Sequence, residues 1–153
     1  LPAYHAAAAE TKIGVVNTER VLRDAAPAVR AQKKIEKEFE KRDQEMQRLA
    51  KQLQTLQEAL EKNAVTMSES EKRNKEREFS ELNREFQRKQ REFREDLNQR
   101  RNEELASVLE RANKAIKSIA EAEKFDVILQ EAAYVAPRVD ITDKVIKAMA
   151  DGK

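Results

Sequence analysis

Few residues in this chain could do covalent chemistry. Its only histidine is His5, close to the N-terminus, and it has no cysteine. No Ser/His or Cys/His nucleophile pair and no zinc-ligating cluster can be built from that set. The two glycines, Gly14 and Gly152, stand alone, so no glycine-rich loop can cradle a phosphate. Adjacent carboxylates such as Glu103 and Glu104 have the chemistry of a general acid and base, but on a charged helix they read as solvated surface. The sequence therefore predicts no enzyme: no catalytic residue, no metal and no cofactor.

Its candidate chemistry is non-covalent. Phe79, Phe86 and Phe93 stand seven residues apart, the spacing of a seam facing Phe39, Met46 and Leu49 on a second helix. A two-helix seam covers such side chains incompletely. Phe39, Met46, Met67, Phe79, Phe86 and Phe93 are therefore also candidates for adaptable apolar contacts with a partner. Charge is nearly balanced, 31 Lys and Arg against 29 Asp and Glu, which leaves no general footprint for nucleic acid. Between Arg84 and Arg101 seven basic residues meet four acidic ones. That local excess reads either as a solvated helix face or as a surface attracting anionic headgroups or polyanions.

These residues need long elements to carry them. Between Pro27 and Pro137 there is neither glycine nor proline, the two residues that most disfavour helix. The chain is 39% charged and 5% aromatic, with a mean hydropathy of -0.88, a composition of long helices or coiled coils. Ile35, Phe39, Arg42, Met46, Leu49, Leu53, Leu56, Leu60, Asn63 and Met67 alternate in steps of four and three, a heptad seam with two polar interruptions. Ser68 before Glu71, and Thr66 before Glu69, have capping-box spacing. The span is expected to be two antiparallel helices turning near residues 63–70; one unbroken helix is the alternative. From Phe86 to Ile119 the apolar steps average about 3.67 residues, which relaxes supercoiling. The return helix, roughly 84 Å long against roughly 55 Å for the outgoing one at 1.5 Å per residue, should pack its excess near Leu105 to Lys124 against the chain ends.

Those ends are strand-like. Lys12 to Asn17 predicts a strand with Ile13 and Val15 on one face and Gly14 and Val16 on the other. Thr18 is the expected cap of a short helix. Phe125 to Leu129, with Val127, Ile128 and Leu129, predicts a second strand, and Tyr134 to Pro137, with Val135, a third. Asp140 or Thr142 should open a last helix striped by Val145, Ile146 and Met149. So small a body leaves sheet edges to protect, so an obligate homo-oligomer built on Ile13, Val15, Val16, Val127, Ile128, Leu129 and Val135 is expected. The fold class is thus mainly α with a small β body. Residues 12–26 and 105–150 form the body, and 27–104 a helical hairpin. Residues 1–11 are a tail, in which Ala6-Ala7-Ala8 fits either a signal-peptide cleavage region or a floppy leader.

KIGVVNTERVL at Lys12 to Leu22, NEEL at Asn102 to Leu105, and FDVIL…YV…DITDKVIKAM at Phe125 to Met149 resemble the Skp (OmpH-like) family of periplasmic chaperones. The resemblance covers nearly all of Lys12 to Met149. It implies a jellyfish-like homotrimer with a β body and coiled-coil tentacles around a cavity. It implies an ATP-independent holdase that keeps unfolded outer-membrane β-barrel proteins from aggregating in the periplasm, and a signal-peptide remnant at the N-terminus. Some members carry a lipopolysaccharide site of basic tentacle residues. Lys89 and Arg100 match it, with Arg101 alongside, while Gln99 stands where that motif is basic. Rival readings are a polyanion- or nucleic-acid-binding coiled coil, a structural spacer, and a prefoldin-like cytosolic chaperone.

Overall fold

A computed structural model describes residues 9–151, so His5 and the expected leader remnant at Ala6-Ala7-Ala8 lie outside the described residues. The order of elements is β1 (Ile13–Val15), α1 (Thr18–Asp24), α2 (Ala26–Lys62), α3 (Glu69–Glu123), β2 (Val127–Leu129), a 3-10 turn (Pro137–Val139) and α4 (Thr142–Asp151). Contacts divide the chain into two units, residues 33–102 and a second made of the segments on either side.

In the flanking unit β1 and β2 pair in parallel, Ile13 with Val127, Gly14 with Ile128 and Val15 with Leu129. Parallel strands need a crossover, and here α1, α2 and α3 together supply it. Burial along β1 does not alternate as expected. Ile13 is exposed while Gly14, Val15 and Val16 are buried. Gly14 is required by close approach: a Cβ there would lie 3.0 Å from the Phe125 ring and 3.4 Å from Ile141. The core joins Val16, Val21, Ala25, Val108, Ala112, Ile119, Ile141, Val145 and Met149. Leu105, in phase with Val108 and Ala112, stays exposed.

The ends of the helices are fixed by named groups. Asn17, not Thr18, caps α1: its Oδ1 accepts from the Arg20 N–H at 3.0 Å, and Thr18 Oγ1 is buried without a partner. A helix turn closes on the residue whose side chain reaches the third N–H, which moves the cap one position upstream. Helix α3 ends with Lys124 in the left-handed conformation at φ 58°, and the Phe125 N–H donates to the Ala120 carbonyl at 3.0 Å. This is a Schellman closure with lysine where glycine is usual. Lys12 seals the same end: its ammonium donates to the Glu123 carbonyl at 2.7 Å and lies 4.3 Å over the Phe125 ring. Thr142 is fully buried. Its hydroxyl accepts from the Asn17 N–H at 2.9 Å and donates to Asp140 at 2.5 Å, tying α4 to the end of β1.

The third strand is absent. Val135 is half-buried irregular chain, Tyr134 is 81% exposed, and Pro137 opens the 3-10 turn. Proline brings no ladder donor and alanine little β preference. Only a single bridge, Val15 with Asp140, continues the sheet on that side.

Candidate functional site

The unit formed by residues 33–102 holds the two long arms and the turn between them. Ser68 caps α3, accepting from the Glu71 N–H at 3.2 Å, and the Thr66 and Met67 N–H groups fold back on the Asn63 carbonyl. The heptad stripe of α2 does become a seam: Ile35, Phe39, Leu49 and Leu53 are buried. Phe39 meets Phe93 edge-to-face, ring centres 5.4 Å apart and planes 86° to each other. Arg42, one of the two polar interruptions, places its guanidinium 5.3 Å from the Phe39 ring and 5.7 Å from the Phe93 ring. It also pairs with Asp96 at 2.9 Å. A planar cation that stacks on aromatic faces while its end reaches a carboxylate can occupy a seam position that lysine would leave.

Of the apolar residues expected to remain accessible, Phe39 does not. It is 8% exposed, closed by Phe93 and Arg42. Met46, Met67, Phe79, Phe86 and Phe93 are half-buried, each with a face toward the surface. Two open clefts flank the seam, each of about 640 Å³. One has a floor of Ile35, Phe39, Phe93 and Leu97 and the other contains Leu56 and Leu82.

Charges stitch the arms together. Arg100 grips Glu38 with two hydrogen bonds of 2.9 and 3.1 Å. Lys89 contacts Glu45 across the seam and Glu85 at 3.6 Å along its own helix. The hydrogen bonds from Arg100 and from Lys89 hold the Glu38 and Glu45 carboxyls below their ordinary range, and the bond to Glu45 raises Lys89. Two of the three candidate anion contacts, Lys89 and Arg100, therefore have their charge engaged within the hairpin. Arg101 is exposed on the rim of the cleft floored by Phe39. Glu38, Glu45 and Asp96 were not expected as partners. Heptad phasing places them beside the seam, but which cation each would meet depends on how the arms align across the turn.

In the flanking unit β2 is an open edge. Ile13, Val127 and Leu129 are 43%, 44% and 46% exposed, while Ile128 is half-buried. Val15 and Val16, expected in the body on which an oligomer is built, are already buried in the single chain, Val16 within its core. Beside them an open cleft of about 590 Å³ runs between Val15–Glu19 and Gln130–Val135. Among the described residues no cluster of His, Cys, Asp or Glu could hold a metal ion, and no helix is long and apolar enough to cross a membrane.

The family model for outer membrane protein (OmpH-like) matches residues 12–149, from the lysine that seals α3 to the last core methionine. The chain belongs to the OmpH-like family. Among solved structures it is similar to a candidate outer membrane chaperone (OmpH-like) from Caulobacter crescentus CB15. The TM-score is 0.76 at 17% identity, covering 94% of this chain and 86% of that one. A search of curated proteins gives no match. At that identity the structural likeness speaks for the fold, and the family for the kind of protein. This OmpH-like chain is mostly helical with one small sheet, as its residues led one to expect, although the sheet has two strands where three were expected.

Proposed function

We propose that this OmpH-like protein is an ATP-independent holdase that binds unfolded outer-membrane β-barrel proteins in the periplasm and keeps them from aggregating. The observation that carries this reading is the row of half-buried Met46, Met67, Phe79, Phe86 and Phe93 along a charged two-helix hairpin. Such a row offers many weak, adaptable apolar contacts and no shaped pocket. Contacts of this kind sum to useful affinity only when many act together. The two isolated glycines form no glycine-rich phosphate loop, in keeping with a passive mechanism.

The working form is proposed to be a homotrimer whose copies meet through the exposed edge at Ile13, Val127 and Leu129, together with Tyr134 and Val135. Apolar strand edges left open in one chain are the surfaces another copy would cover. The hairpins would then act as tentacles around a shared cavity for the client. Lipopolysaccharide or an anionic membrane surface would be met through Arg101, since Lys89 and Arg100 are engaged by glutamates. A β-barrel membrane protein unfolded in urea and diluted into buffer with this chain should co-elute with it in a soluble complex of fixed stoichiometry without nucleotide. Elution of the chain alone, with the client lost to precipitate, would contradict the reading.

A further inference from the structure

The ion pairs between the arms are distributed unevenly. Glu38 with Arg100, Arg42 with Asp96, and Glu45 with Lys89 form a ladder, each step forward on α2 matched by a step back on α3. All three lie in the half of the hairpin remote from the turn. Closer to the turn than Glu45 and Lys89, no ion pair joins the arms among the described residues, although charges abound. Arg48 and Lys51 face Glu78, Glu81 and Glu85 across an open cleft without bridging it. The apolar seam weakens in the same direction. On α2 Ile35, Phe39, Leu49 and Leu53 are buried, whereas Leu56 and Leu60, nearer the turn, are half-buried; on α3 Phe79, Leu82, Phe86, Phe93 and Leu97 are half-buried throughout. Helices joined by little burial and no bridges open locally at lower free energy than clamped ones.

We infer that the hairpin is a graded clamp. The three ion pairs lock the remote half in register, while the half next to the turn parts and recloses, periodically baring Leu56, Leu60, Phe79, Leu82 and Phe86. This goes beyond the holdase reading and does not rest on it. A cation held between two rings fixes register as well as stability, since sliding one arm by a residue would strand Arg42 away from Asp96. The clamp is electrostatic and partly exposed, so salt should loosen it. The outer half, which has no cross-arm bridge, should not respond.

Hydrogen exchange on the full chain, read by mass spectrometry, tests this. At about 50 mM salt, amides of residues 35–49 and 89–100 should exchange at least roughly tenfold more slowly than those of 54–61 and 72–84. Raising salt to about 1 M, where the Debye length is about 3 Å, should speed the protected half by about three- to tenfold and the outer half by less than about twofold. The double variant Glu38→Gln/Glu45→Gln, checked for retained helix by circular dichroism, should show faster exchange of the remote half already at low salt and a smaller salt response, with only the Arg42–Asp96 pair left to screen. Uniform protection along the arms, a salt-insensitive remote half, or a variant with the parent profile would each overturn the inference.

Discussion

Replacing Thr142 with valine isolates the contribution of one hydroxyl to the body. The side chain is fully buried, and valine has nearly its shape, so packing is kept while the hydroxyl is removed. Two interactions disappear: the acceptor for the Asn17 N–H at 2.9 Å and the donor to the Asp140 carboxylate at 2.5 Å. A neutral hydrogen bond contributes about 1 kcal/mol and one to a charged group about 1.5–3 kcal/mol. The Thr142 N–H, which also donates to Asp140 at 2.9 Å, survives and limits the damage. The expected loss is about 2–3 kcal/mol, roughly 5–10 °C in melting temperature for a chain of this size. Thr142→Ser, which keeps the hydroxyl and loses one methyl, should cost only about 1 kcal/mol. Urea unfolding followed by circular dichroism, at one fixed protein concentration because self-association adds stability, gives both numbers. If Thr142→Val unfolds within about 0.5 kcal/mol of the parent, the hydroxyl does not tie α4 to β1 and the reasoning fails.

Other outcomes follow from the same geometry. Lys124→Gly, relieving the left-handed φ of 58° at the end of α3, should stabilise by about 0.5–1 kcal/mol in thermal unfolding. Asp140 is held below the ordinary carboxylate range by the Thr142 hydroxyl first and the Thr142 N–H second. Its contribution should therefore be complete above the unfolded value of about 3.9 and be lost as pH falls through the lower native value. In Asp140→Asn that part of the acid dependence should vanish from stability measured against pH. Arg42→Ala should cost about 1–2 kcal/mol in urea unfolding, through the lost stacking on Phe39 and Phe93 and the lost Asp96 pair. Leu129→Lys, at an exposed strand position, should reduce the sedimentation coefficient to that of a smaller species while helical content is kept.

The long helices were legible because their signals are local and repeated. Steps of four and three from Ile35 to Leu53 mark a buried stripe, and Ser68 with Glu71 marks the start of α3 within a residue. The body was harder to read because it is built from close approaches. Nothing near Gly14 in sequence reveals that the Phe125 ring lies against it. Val15 and Val16 look like any paired strand, yet they are buried inside the chain, while Ile13 and Leu129 face outward. Tyr134 to Pro137 has an apolar strand's composition but finds no core to bury it. The cross-arm pairs were hidden for a related reason: a basic residue beside a seam does not reveal its partner until the opposite arm is aligned, and alignment sets Glu45 against Lys89 and Glu38 against Arg100. The exposed aromatic face was overcounted by one, because the cover on Phe39 comes from Phe93 and Arg42 together.

The central claim is that half-buried apolar residues on this hairpin hold unfolded chains without nucleotide. Light scattering during dilution of a urea-unfolded outer-membrane β-barrel protein tests it most directly, with the chain in slight molar excess and no ATP present. The account predicts that scattering stays near baseline with the parent chain and rises again for Phe79→Ser/Phe86→Ser. A scattering trace as high with the parent chain as without it would contradict the account.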